Sequence, residues 1–449
     1  TGVTFTGNVA GTVYNWSNTN TAIGLGASGV GNIASFVTTN TTNATISGTI
    51  TAVPIYTNAG LSCTGAPTSF TIAVNPIPTV NAIANQTICV GGSTTLVTPT
   101  GNVVGTVYNW TSSNTAIGLA ASGTGNIPSF VTTNTGNTPI SSTITITPTY
   151  TNGGVSCSGA PITFTITVNP IPTVNGINNQ VICNGSTTTG VTFTGNVAGT
   201  VYNWSNTNTA IGLGGSGVGN IASFVTTNTT NATISGTITA VPIYTNAGLS
   251  CTGASTSFTI AVNPIPTVNA VANQTICVGG STTLVTPTGN VVGTVYNWTS
   301  SNTAIGLAAS GTGNIPSFVT TNTGNTPISS TITITPTYTN GGVSCSGAPI
   351  TFTITVNPIP TVNGINNQVI CNGSTTTAVT FTGNVAGTVY NWNNTNTAIG
   401  LGGSGVGNIA SFVTTNTTSA TISGTITAVP IYTNAGLSCT GASTSFTIA

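Results

Sequence analysis

Nine cysteines, at 63, 89, 157, 183, 251, 277, 345, 371 and 439, are the residues of this sequence with the widest chemistry open to them. Their gaps alternate between 26 and 68 residues. A thiolate can be a nucleophile, a metal ligand or half of a disulfide, and the neighbourhood decides which. A zinc site is excluded by the absence of any Cys-x2-Cys pair and of histidine. A cysteine nucleophile needs a base, and the chain has no His, Lys, Asp or Glu to act as one. Disulfides remain. Two cysteines per repeat read as one bridge per domain: Cys89–Cys157, Cys183–Cys251, Cys277–Cys345 and Cys371–Cys439, with Cys63 left over because its partner would lie upstream of residue 1. The 26-residue scheme, starting with Cys63–Cys89, leaves Cys439 over instead, and spacing alone does not choose. The 68-residue scheme is favoured because it closes within one domain, where it is worth about 4 kcal/mol by chain entropy. Against it, a hairpin turn at 152–154 would set Cys157 at the end of the domain opposite Cys89. Either scheme requires an oxidising, extracellular setting.

The second chemical fact is an absence. Not one of the 449 residues is Lys, Arg, Asp, Glu or His, where an ordinary chain is about 25 % charged. General acid–base catalysis loses its side chains, so the expectation is not an enzyme, with no catalytic residues. Calcium and magnesium sites lose their carboxylates, so no metal and no cofactor are expected. Nucleic-acid binding lacks the cations that neutralise phosphate. No apolar run approaches the roughly 18 residues that a membrane helix needs, so no membrane insertion is expected in this segment. A neutral surface favours association, and folding is expected to be nearly indifferent to salt and to pH between about 4 and 9.

The elements that carry these cysteines repeat. Trp16, Trp110, Trp204, Trp298 and Trp392 lie 94 residues apart, each within TVYNW. A closer period of 188 overlies the first: residues 1–261 match 189–449 at all but six positions, so two variants of one domain alternate. A 94-residue period is too long for a solenoid rung and suits a β-sandwich of about 100 residues. The phrase NPIPTVN at 75–81 and its three copies reads as a semi-rigid linker. Boundaries placed after its last Asn give domains 1–81 (lacking its first strand), 82–175, 176–269, 270–363 and 364–449 (cut at its C-terminus). The missing piece corresponds to residues 74–94 of the period. The plain reading is an arbitrary cut in a longer array, and the sharper one is a neighbouring copy that supplies the strand.

Within a repeat the apolar period is two. In 140–150, Ile144, Ile146 and Tyr150 alternate with Thr143, Thr145, Thr147 and Thr149, and ITFTITV at 162–168 does the same. These predict half-buried antiparallel strands with threonine-coated outer faces. The turn signals are NGG at 152–154, TGN at 100–102 and SGTGN at 122–126. GLGASGVGN at 24–32 reads as a turn-rich connection, since no Lys and no helix follow it as a phosphate loop requires. The fold class predicted is all-β: tandem antiparallel sandwiches joined end to end. The five tryptophans are expected to be core residues, the alternative being open sugar-stacking platforms.

NQTICVGGSTTL (85–96), VYNW (107–110) and SCSGAPITFTITVNPIPTV (156–174) resemble the PKD-like, immunoglobulin-like repeats of very long secreted Bacteroidota surface proteins, including gliding-motility-type adhesins. The resemblance spans the chain five times over. It implies export to the cell surface and tandem Ig-like (PKD-like) domains. The Trp-Asp-Phe-Gly-Asp motif of PKD domains is replaced by Asn-Trp-Thr or Asn-Trp-Ser, so no calcium site carries over. The function expected is a structural extracellular fibre or stalk that presents or forms an adhesive filament. Its partners would be copies of itself in a filament or bundle. The alternative is an adhesin whose Asn, Thr and aromatic surfaces grip surface glycan.

Overall fold

The computed structural model describes all residues from 1 to 449. It is all-β, with five one-turn 3-10 helices as the only helical structure, and five sheets succeed one another along the chain. The chain is thus a tandem of all-β units, one sheet to each.

The unit around Trp110 shows the plan. Its strands are Gln86–Cys89, Val107–Ser112, Ser122–Thr124, Ile140–Asn152, Val155–Ser158 and Ile162–Asn169. The 13-residue strand Ile140–Asn152 is central. It pairs antiparallel with Ile162–Asn169, with Val107–Ser112 and, through a tight hairpin, with Val155–Ser158. Alternation sends Ile144, Ile146, Phe164, Ile166 and Val168 inward, each with 2 % exposure or less. Each such side chain contributes roughly 1.5–3 kcal/mol by leaving water. The opposing layer consists of irregular segments tied by the antiparallel bridges Ser93↔Val131 and Val97↔Ile127. It brings Val97, Ile117, Leu119 and Ile127 to the same core.

Ile117 is delivered by the 3-10 turn Thr115–Ile117. The Asn114 side chain accepts from Ala116 N (3.0 Å), and Gly118 closes the turn at φ 102°. An Asn cap and a left-handed Gly stop are familiar helix punctuation. The phrase NTAIG carries both in every unit, and a search for longer helical periods passes over it. Ser122–Thr124 and Ser28–Val30, read from the sequence as turn and connection, are short edge strands.

The sheets are not purely antiparallel. Gln86–Cys89 pairs parallel with Ile162–Asn169, placing Cys89 beside Asn169. The first strand arrives from the preceding unit and the last departs for the next, so both run the same way. Unit boundaries also fall earlier than after Asn81. Val80 is buried in the core that holds Val97 and Trp110, and Val174, Val268 and Val362 do the same in later units. Thr79 N donates to Asn102 Oδ1 (2.7 Å) and Asn81 N to Thr100 O (2.8 Å). The PIPTVN segment is therefore docked on the unit that follows it, and the crossing point is Asn75.

The alternating variants fill one core in two ways. In the unit around Trp204, Phe193 stacks on Tyr202 with centroids 5.6 Å apart, and Ala240 stands opposite Trp204. In the unit around Trp110, Pro99 replaces that Phe and Ile146 replaces that Ala. Bulk lost at one position returns at the other, as a close-packed interior requires.

Candidate functional site: the junction between units

The side chains with the most particular surroundings lie where one unit meets the next. Asn169 ends the last strand of its unit and is fully buried. Its Nδ2 donates to Asn246 O (3.2 Å), and Asn246 Nδ2 donates back to Asn169 Oδ1 (2.8 Å). Asn246 ends the long central strand of the next unit, at the mouth of its hairpin. The same reciprocal pair joins Asn75 to Asn152, Asn263 to Asn340 and Asn357 to Asn434. Thr45 and Thr233 add their hydroxyls, each donating to the Asn75 or Asn263 side-chain oxygen (2.9 and 2.8 Å). A second Asn pair flanks each crossing, for example Asn290 Nδ2 to Asn231 Oδ1 at 3.1 Å. An amide that both gives and takes suits a buried site without charge, because no partner has to be ionised.

Disulfides close three of the four crossings. The bonds are Cys89–Cys251, Cys183–Cys345 and Cys277–Cys439, with Cα–Cα distances of 5.7, 5.6 and 5.6 Å and a sequence separation of 162 each. This corrects the pairing within units. Cys89 sits at the outgoing end of its unit beside Asn169, and Thr132 Oγ1 donates to its carbonyl (3.0 Å). Cys157 lies in the hairpin at the incoming end, opposite Tyr150. One unit therefore holds its two cysteines at opposite ends, and in the units of Cys183 with Cys251 and of Cys277 with Cys345 each reaches across to a neighbour. Cys157 and Cys371, expected in bridges, are free thiols, as is Cys63. By the same spacing, the positions 162 residues before Cys63 and Cys157 and 162 residues after Cys371 fall outside residues 1–449.

Close approach at the crossing explains a small motif. Gly253 follows the hairpin cysteine, and a Cβ there would collide with Pro172 O of the docked linker. Gly159, Gly347 and Gly441 stand against the equivalent proline carbonyls. The recurring Cys-x-Gly-Ala therefore lets the linker pass.

The tryptophans fall into two classes. Trp110 and Trp298 are buried at 5 % and 4 % exposure, whereas Trp16, Trp204 and Trp392 are half-buried. The larger Ile146 and Ile334 opposite the first pair cover more of the ring than Ala52, Ala240 and Ala428 do. Each ring lies across a glycine of the edge strand, Gly123 in the case of Trp110. The indole Nε1 of Trp16, Trp110, Trp204 and Trp298 is inaccessible, and that of Trp392 donates to Gly407 O (3.1 Å).

Sequence reasoning missed the Asn pairs. Their signal was present as an Asn in each linker phrase and an Asn ending each hairpin strand, 77 residues apart. In a chain so rich in Asn neither stands out. Burial pushes the phenols of Tyr108, Tyr202, Tyr296 and Tyr390 above the usual tyrosine range. No group of three or more metal-ligating side chains forms anywhere, and no helix is long and apolar enough to cross a membrane.

No protein-family model and no curated protein matches the chain. Among solved structures, the protocadherin gamma-B4 extracellular domain is similar at 13 % identity and TM-score 0.30, over 97 % of this chain and 77 % of that one. The human desmocollin-1 ectodomain is similar at 11 % identity and TM-score 0.28, over 99 % and 94 %. Sidekick-1 immunoglobulin domains 1–5 are similar at 12 % identity and TM-score 0.26, over 98 % and 92 %. Scores of this size do not establish a shared fold, and the tandem all-β architecture rests on the chain's own sheets.

Proposed function

We propose that the chain is a structural stalk or fibre of the extracellular surface, which holds or forms an adhesive filament. The observation that carries this reading is the junction. The same reciprocal Asn pair recurs at all four crossings, with its linker Asn fully buried at three of them, and a disulfide spans those three. Such investment in fixing unit to unit suits a molecule whose task is reach and stiffness. Disulfides suit an oxidising compartment, and the resemblance to PKD-like repeats of secreted Bacteroidota proteins points the same way. Val104 and Val292 stand 94 % and 92 % exposed on a surface with no charge to repel a second copy, which favours bundling.

Glycan gripping has less support. The largest concavity, about 840 Å³ and lined by Val271, Gln274, Leu284 and Leu437 among others, contains no aromatic side chain. The tryptophan Nε1 atoms are covered.

Negative-stain microscopy of native material tests the stalk reading, which expects continuous fibres with a domain-sized axial repeat. Globular particles would overturn it. A glycan array probed with the full chain is expected to stay blank.

A further inference from the structure

The three disulfides do more than fasten neighbours. From Cys251, near the incoming end of its unit, the chain runs along strand Thr256–Asn263 to the outgoing end. It crosses at Asn263, continues through the docked linker and ends strand Gln274–Cys277 at the far end of the following unit. There Cys277 is bonded to Cys439, in the unit after that. At the near end Cys251 is bonded to Cys89, which closes a run of the same form from Cys63. Each 26-residue segment thus advances through two units without doubling back, and a disulfide hands it to the next such segment. A second series, offset by one unit, runs from Cys157 to Cys183, across to Cys345 and on to Cys371.

The two series lie side by side. In the third unit the first is strand Thr256–Asn263 and the second is strand Gln180–Cys183, and these form the parallel pair of that sheet. The pairs Gln86–Cys89 with Ile162–Asn169, and Gln274–Cys277 with Ile350–Asn357, repeat this in the units on either side. The remaining chain in each unit, such as residues 90–156, bridges one series to the other and lies off both direct routes.

We infer that the parallel strand pair is a two-ply covalent spine that makes the array nearly inextensible. A fully extended chain spans at most about 3.3–3.6 Å per residue, and the 26-residue segments are already strand and extended linker. Tension applied along the array is carried by backbone and disulfide bonds that have almost no slack. From the second unit onward the hairpins, the tryptophans and the 3-10 turns sit in the unloaded loops, whereas residues 1–62 of the first unit lie on the loaded route. A unit with its cysteines paired internally would instead need tension to pass through each crossing on one backbone. The inference deepens the stalk reading and rests on it for biological use alone. If native material proves not to be a surface fibre, the mechanical result below stands unaltered.

The test is single-molecule force spectroscopy on the full chain held at Thr1 and Ala449. With disulfides intact the taut route runs Thr1 to Cys89, Cys251 to Cys277 and Cys439 to Ala449, about 124 residues of backbone or roughly 400–450 Å. In a phosphine reductant it becomes the whole chain, roughly 1500 Å, a rise of more than threefold. Cys277→Ser breaks one bond of the first series, and the intact-disulfide contour is expected to about double, to about 260 residues. Cys157→Ser, at a thiol with no partner in the chain, is expected to leave the contour unchanged and controls for misfolding. An oxidised contour of about 176 residues, the value for pairing within units, would overturn the inference. So would one close to the reduced length.

Discussion

Side chains in this protein do with neutral amides and hydroxyls what others do with charge, and the alternating variants show how. In the unit around Trp204, Asn206 donates to Asn208 O (2.9 Å) and Leu213 O (3.1 Å) and accepts from Asn208 N (3.1 Å). Its carboxamide occupies the space over Gly236, where a Cβ would strike Asn206 Oδ1. In the unit around Trp110 the same two positions are Ser112 and Ser142, hydroxyl to hydroxyl at 2.7 Å, with Asn114 N donating to Ser142 Oγ at 3.1 Å. Asn with Gly and Ser with Ser are therefore two solutions to one problem. Gly236→Ser alone is expected to destabilise its unit by about 1–3 kcal/mol through overpacking. Asn206→Ser alone should cost about the same by leaving buried backbone groups unpaired. The double variant recreates the other solution, so most of the loss should return. Hydrogen exchange of peptides from residues 201–240, read as a double-mutant cycle, measures the coupling, and purely additive losses would refute the exchange.

At the scale of elements, the crossing is the place to perturb. Asn263 is fully buried, and its Nδ2 donates to Asn340 O at 3.0 Å and Val343 O at 3.4 Å. Asn263→Ala strands those acceptors and takes from the Asn340 amide its closer acceptor, leaving it Thr233 Oγ1 (3.3 Å), a cost of about 1–3 kcal/mol. Faster exchange is expected at the hairpin 340–343 while the strand core around Ile238 keeps its protection, and unchanged hairpin rates would show the pair to be idle. The strands themselves could be read in the sequence, because strict alternation in ISSTITITPTY and ITFTITV leaves one face for the core. The fold class followed from that and from the 94-residue period. Disulfide partners could not be read, because pairing depends on which end of a sandwich each cysteine occupies. That in turn depends on one parallel strand. The sequence of Gln86–Cys89 is apolar at Ile88 and polar at its other non-cysteine positions, and nothing in four residues tells direction. The docking of PIPTVN was equally hidden, since two prolines look the same whether the segment is free or packed.

At the scale of the whole molecule, the lack of side-chain charge becomes a statement about pH. Between about pH 4 and 9 no carboxylate, imidazole or ammonium side chain changes state, because none exists. The buried phenols of Tyr108, Tyr202, Tyr296 and Tyr390 hold their protons more tightly folded than unfolded. Their contribution is fully present below the unfolded value of 10.0 and is lost as pH rises through the higher folded values, because the unfolded chain then ionises first. Thermal melting by circular dichroism is expected to be flat from about pH 4 to 9, indifferent to salt, and to fall above pH 10. A steep acid transition would contradict it.

The overlapping bonds have one more consequence. A protease that severs any single peptide bond between Cys89 and Cys439 does not divide the molecule, since at least one disulfide joins the two sides of every such cut. Limited digestion to one nick per chain within that span should give full-size bands on a gel without thiol and two fragments with it. A chain wired in this way outlives its first wound.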